Sequence, residues 1–137
     1  HLEDFVFEEL KSRGHAPVRQ PRAFKSNRKI ESDSIPDIIL DYNNKVFIVE
    51  LKPNATDLAD LYQLDRYANN KEIIAKYSSK IIKPVLLTGF FHEEIVLEAK
   101  KFHEDFELIS YSYKDETVFF ENILGNGDFY NLLTQPI

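Results

Sequence analysis

The chain has 137 residues, 43% hydrophobic and 29% charged, with a net charge of −6 and no cysteine. It is long enough for one domain with its own core, and it excludes a disulfide framework, a thiolate zinc site and thiol chemistry. Its acidic balance argues against bulk, non-specific nucleic-acid binding, which needs a basic surface.

Residues Leu2–Arg13 carry Leu2, Phe5, Val6, Glu9 and Leu10 at helical spacing, which predicts an opening helix stopped by Gly14. Ala16–Phe24 allows a short strand between Pro17 and Pro21, and Lys25–Ser34 reads as a polar loop. Between Lys11 and Ile30 lie seven basic residues and no acidic one, against ten basic and twenty-three acidic residues elsewhere. A basic arm on an acidic body is compatible with a local phosphate-binding surface, and equally with a solvated loop. Two apolar runs follow, Ile35–Leu40 and Val46–Leu51, joined by the turn-prone Asp41-Tyr42-Asn43-Asn44, so a hairpin is expected. Pro53 is expected to end its second strand.

Thr56 or Asp57 can cap a helix from Leu58 to Asn69, with further helix through Tyr77. Pro84–Thr88 predicts a buried strand ending at Gly89, and Glu93–His103 an amphipathic helix. Phe106–Tyr113 and Thr117–Ile123 predict two more strands. Gly125-Asn126-Gly127 is then a turn, with Asp128 as the cap of a last short helix. This order calls for an α/β chain of the α+β type, a mixed sheet with helices on its faces. One domain over residues 1–137 is expected. The start at His1 rather than Met is compatible with tag residues or with excision from a longer chain. No apolar run of membrane-spanning length and no signal-peptide pattern occurs, so a cytoplasmic protein with no membrane partner is expected.

The chemistry concentrates in the hairpin. Pro36-Asp37 opens its first strand, and Glu50-Leu51-Lys52 closes the second, thirteen residues after Asp37. Alternation puts Glu50 and Lys52 on one side with Val46 and Ile48, while Leu51 joins Phe47 and Val49 on the other. Two carboxylates and an ammonium converging on one point suit a divalent cation and an activated water. Asp37 and Glu50 would be the metal ligands and the Leu51 carbonyl a third donor, an inventory typical of Mg2+. Lys52 would position the attacking water or neutralise charge on the transition state. Glu3, bordering the apolar side of the opening helix, is a candidate third acidic group, with Glu9 as its rival. Asp60, Gln63 and Tyr67 form a polar stripe on the helix after the hairpin.

Other chemistry lacks its pattern. His1, His15, His92 and His103 have no metal-ligand spacing, no glycine-rich phosphate loop is present, and no serine sits in a Ser-His-acid arrangement. The many aromatics fall in apolar runs and read as core or interface rather than as base-stacking platforms.

With these residues in hand, the chain resembles the PD-(D/E)xK nuclease superfamily, with its restriction-endonuclease-like fold. Its N-terminal half resembles archaeal Holliday-junction resolvases in the spacings Glu3 to Gly14 and Asp37 to Glu50, although the stretch from Gly14 to Asp37 is longer. Gln63-xxx-Tyr67 is similar to RecB-type nuclease domains, and Lys83-Pro84-Val85 through Ile109 to archaeal mismatch endonuclease domains. The resemblance implies an αβββαβ core and an Mg2+-dependent DNA endonuclease in which Mn2+ substitutes. By position it makes Asp37 and Glu50 metal ligands and Lys52 the catalytic lysine. Glu3 becomes the accessory acid, Gln63 orients Lys52 or a phosphate, and Tyr67 supports the helix face. Arg19, Arg22, Lys25 and Arg28 become phosphate contacts. Its roles would lie in DNA repair or defence, as a homodimer or within a larger nuclease complex. The rival expectations are a catalytically silent nucleic-acid-binding or assembly module, and a defence or mobile-element nuclease active only inside a complex.

Overall fold

A computed structural model describes residues 2–19, 36–102 and 105–136. In chain order the elements are α1 (Leu2–Ser12), β1 (Val18–Arg19), β2 (Ile38–Tyr42), β3 (Lys45–Ala55), α2 (Leu58–Ala68), α3 (Lys71–Lys76), β4 (Ile81–Phe90), α4 (Glu93–Ala99), β5 (Glu107–Lys114), β6 (Thr117–Leu124) and α5 (Asp128–Thr134). The six strands form one sheet in the order β1-β2-β3-β4-β5-β6. The β3–β4 and β4–β5 pairs are parallel and the others antiparallel. The expected mixed sheet with flanking helices is therefore the architecture observed.

Two apolar layers cover the sheet. On one face Val46 and Ile48 of β3 and Leu86 of β4 pack with Leu61, Leu64 and Tyr67 of α2, Ile73 of α3 and Ile95 of α4. On the other face Phe47, Val49 and Leu51 pack with Val6 and Leu10 of α1 and Phe129 and Leu133 of α5. The central strands are buried on both sides, which is why they read as continuous apolar runs rather than as alternating ones. Each Leu, Ile or Val removed from water here contributes about 1.5–3 kcal/mol.

Local chemistry sets the element ends. Gly14 takes φ +88°, and its N–H donates to the Lys11 carbonyl while that of His15 reaches back to Leu10, both at 3.0 Å. This paired closure of α1 needs a left-handed residue, a conformation glycine adopts without a Cβ penalty. Of the two caps expected for α2, Asp57 serves: it accepts from the Asp60 N–H while the Asp60 carboxylate accepts from the Asp57 N–H.

Several boundaries differ from expectation: β4 runs from Ile81 to Phe90, past Gly89, and α4 ends at Ala99 rather than at His103, while three further differences have local causes. The hairpin turn is only Asn43-Asn44, because Asp41 and Tyr42 pair with Val46 and Lys45. Pro53 does not end β3. The strand runs to Ala55, and Pro53 falls where the β3–β4 register shifts between Lys52 and Ala55. The pairing with β2 runs only to Ile38 opposite Val49, so Pro53 lies at an irregularity past the reach of β2, where a missing N–H is tolerated. Asp128 is the first residue of α5 and not its cap. That position is taken by Gly127, while the buried Glu107 carboxylate accepts from the N–H groups of Phe129 and Tyr130 at 3.0–3.4 Å. The expected short strand near Ala16 is the two-residue β1 among the described residues. The loop Lys25–Ser34 lies outside them.

Candidate active site

The β2–β3 register carries the first two site residues together. Ile38 faces Val49, Ile39 faces Ile48 and Leu40 faces Phe47, so one step further brings Asp37 opposite Glu50. Directly opposed residues of an antiparallel pair share a face. Asp37 thus belongs to the face of Ile39, Ile48 and α2. Its Oδ2 accepts from the Leu51 N–H at 2.9 Å, which ties the residue before β2 to the main chain of β3.

Glu50 is 4% exposed, and its Oε1 is buried without a hydrogen-bond partner. Its pKa is pushed up to about 9, first by burial and then by a hydrogen bond to Asp37 and the Asp37 charge; Lys52 and a hydrogen bond from Tyr67 offset part of this. Two carboxyl groups so close cannot both ionise cheaply without a positive charge. A shared proton meets the need in the isolated protein, and a divalent cation would also meet it while giving the orphaned Oε1 a partner. The donor set thus fits a cation. Among the described residues no group of three or more His, Asp or Glu side chains closes around one point; a cation completed by water and substrate oxygens, as Mg2+ usually is, needs one or two carboxylates.

Lys52 lies two residues beyond Glu50 on the same face, as alternation required. Its Nζ stands 3.5 Å from Asp60 Oδ1, and its side chain is 34% exposed. Asp60 therefore does two jobs, closing the cap of α2 with one oxygen and facing Lys52 with the other. Tyr67 stands two turns further along α2. Its ring is buried in the core and its hydroxyl bonds Glu50, so it acts as a strut whose polar end reaches the site. Gln63, half-buried, sits one turn from each of them on the same stripe. The α2 stripe read from the sequence thus runs over the carboxylate pair.

Other predicted residues gather elsewhere. Glu3 binds Arg19 at 2.5–2.8 Å through one carboxylate oxygen, and Arg19 also reaches Asp4 at 2.8 Å. The accessory acid and one expected phosphate contact are therefore paired with each other. Glu9, the rival acid, bonds Arg13 at 3.0 Å. Arg22, Lys25 and Arg28 lie outside the described residues.

A second charged cluster went unread in the sequence. Lys83, 2% exposed, lies 3.4 Å from Asp105 and 3.3 Å from Asp128, and Lys45 reaches Asp128 at 3.1 Å. Glu107 is fully buried, and burial pushes its pKa up against the pull of the two α5 amides and Lys83. This cluster docks α5 at the opposite end of β3 and β4 from Lys52. The available signal was the charged pair itself: Lys83 and Glu107 interrupt apolar strand runs, where an unpaired charge is expensive.

No protein-family model matches this chain, and no curated protein matches it by sequence. Among the described residues no helix is long and apolar enough to cross a membrane.

Proposed function

We propose that this protein is a metal-dependent deoxyribonuclease that hydrolyses phosphodiester bonds at Asp37, Glu50 and Lys52. The observation that carries this reading is the carboxyl pair of half-buried Asp37 and buried Glu50, with an unpartnered Glu50 oxygen and a lysine two residues away on the same face. A structural ion pair has no use for two adjoining carboxyls and an orphaned oxygen; a cation site does. The element order is a helix, three antiparallel strands, the two helices α2 and α3, and a strand parallel to β3; with the six-residue α3 counted as an addition, it supports the αβββαβ core implied by the resemblance to PD-(D/E)xK nucleases.

Asp37, Glu50 and the Leu51 carbonyl would hold Mg2+ or Mn2+. When bound, the cation supplies Lewis-acid polarisation of the phosphodiester and a lower pKa for water. Tyr67 fixes the Glu50 carboxyl through its hydroxyl. Asp60 holds the Lys52 ammonium near the site, where it offsets charge building on the phosphoryl oxygens. Gln63 completes the stripe and orients Lys52 or a phosphate oxygen. Glu3 would join only after releasing Arg19, which would then be free for phosphate.

The test is cleavage of labelled single-stranded, duplex, mismatched, flap and four-way-junction DNA with Mg2+, Mn2+ or EDTA, with Lys52→Ala alongside. Metal-dependent cutting that the variant loses supports the reading. A Lys52→Ala protein that cuts at the wild-type rate sinks it. The second reading, a catalytically silent nucleic-acid or assembly module, draws on the pairing of Arg19 with Glu3 and Asp4 and on the net charge of −6. Salt-dependent DNA binding without cutting would favour it. A third, a defence nuclease working only in a complex, predicts cutting that needs an added partner.

A further inference from the structure

The sheet face that carries Glu50 and Lys52 continues into an aromatic groove. In the registers, Lys52 pairs with Thr88, Thr88 with Ser110, and Ser110 with Glu121. These four side chains form one row on one face. Two residues further along the same strands lie Phe90 beside Ala55, and Ser112 paired with Phe119. Phe90, Phe91, Ser112 and Phe119 wall a groove of about 460 Å3, inside the range of about 300–1,000 Å3 typical of ligand sites. At a strand spacing of about 4.8 Å, Ser110 in its floor is about 10 Å from the Lys52 main chain. A strand cut at Lys52 therefore passes beside the groove.

The lining says what fits. Phe90 and Phe119 are each 54% exposed, and the Phe90 ring is braced edge-on by His92 at 5.0 Å between centroids. The position of the groove is secured from behind. Gly89 backs so closely on the Asn54 carbonyl that a Cβ there would stand 2.6 Å from its oxygen. The Tyr111 hydroxyl donates to the Pro53 carbonyl. Among the described residues no basic side chain lines the groove, and Glu121 contributes a carboxylate. Phosphate is thus unwelcome there, whereas flat neutral rings can stack on the phenylalanines, with the serine hydroxyls and the Glu121 acceptor available to base-edge amino groups.

We propose that this groove binds unpaired DNA bases next to the cleaved phosphodiester, so that the preferred substrate is single-stranded or splayed DNA. The proposal rests on the nuclease reading for its orientation, but its test does not need cleavage. Paired bases are stacked inside the duplex and cannot enter, so single strands gain from the groove and duplexes do not.

The experiment titrates the full chain, in EDTA, into a single-stranded oligonucleotide carrying 2-aminopurine, and into the same sequence as duplex. Phe90→Ala, Phe119→Ala, the double variant and Phe119→Tyr are run in parallel, with circular dichroism checking the fold. Wild type should bind the single strand more tightly than the duplex and quench the 2-aminopurine. Each alanine should weaken single-strand binding about tenfold and leave duplex binding unchanged, while Phe119→Tyr, which keeps the ring, should bind as wild type does. Equal single-strand binding by wild type and double variant overturns the proposal, as does failure of wild type to bind the single strand. A double variant that changes only the sedimentation coefficient assigns the rings to a contact between two copies and overturns it too. Ring-dependent binding without any cleavage would keep the groove and remove the nuclease. Cleavage lost in Lys52→Ala with ring-independent binding would do the reverse.

Discussion

Replacing Glu50 by Gln should make the metal-free protein more stable at neutral pH, although it removes a proposed metal ligand. Glu50 is 4% exposed, and its pKa is pushed up from an ordinary 4.5 to about 9, chiefly by burial with Asp37 adding to it. The folded state therefore holds a proton that the unfolded chain gives up above pH 4.5. Because the native state binds more protons, this group stabilises the fold fully below pH 4.5, and its contribution is lost as pH rises toward 9. At about 1.4 kcal/mol per pH unit, the cost at pH 7 is about 3 kcal/mol. Glutamine has the shape of the protonated acid, can still accept from Tyr67 and can donate to Asp37, so it avoids that cost. For a chain of this size the gain amounts to a rise of about 10 °C in melting temperature. Thermal denaturation in EDTA from pH 4 to pH 8 reads it directly: the two proteins should melt together at pH 4 and diverge steadily above it. Adding Mn2+ at about a hundredfold its Kd should stabilise wild type by about 2.7 kcal/mol and narrow the gap, with little effect on the variant. A Glu50→Gln protein that melts below wild type at pH 8 in EDTA, or a difference that ignores pH, would refute the reasoning.

Lys52→Ala should lower the rate of DNA cleavage by about a hundredfold or more while leaving the melting temperature within about 2 °C, since the side chain is a third exposed and its ion pair with Asp60 is worth little. Tyr67→Phe keeps the buried ring and deletes only the hydroxyl that bonds Glu50; calorimetry should give Mn2+ affinity about tenfold weaker, and unchanged affinity would remove Tyr67 from the site. Glu107→Ala strands the Phe129 and Tyr130 amides and should cost about 3 kcal/mol, with hydrogen exchange at α5 accelerating before that of β3. Gly89→Ala drives a Cβ to 2.6 Å from the Asn54 carbonyl and should destabilise by about 1–3 kcal/mol; wild-type melting would mean that the two strand ends part without strain.

The order of elements was legible because hydrophobic periodicity is a local property. Glu50 and Lys52 could be put on one face with Val46 and Ile48 from alternation alone, and Asp37 beside Glu50 from the length of the hairpin. Capping chemistry was equally local, which is why Gly14 and Asp57 could be read in advance. Partnership across the fold was not legible. Nothing in the residues around Glu3 and Arg19 says that they pair, because that contact depends on where β1 docks against α1. The extension of β3 past Pro53 depends on β4 lying alongside with β2 already ended, a condition that no window of sequence contains. The acceptor for the first amides of α5 is a glutamate twenty-two residues before Phe129, and only the parallel sheet brings it there. Residue chemistry and local periodicity alone fix which side chains can react and on which faces of their elements they lie. The tertiary structure alone decided which charges are buried together, because burial and pairing depend on the packing of distant segments, and these set the pKa of Glu50 and the continuity of its face with the aromatic groove.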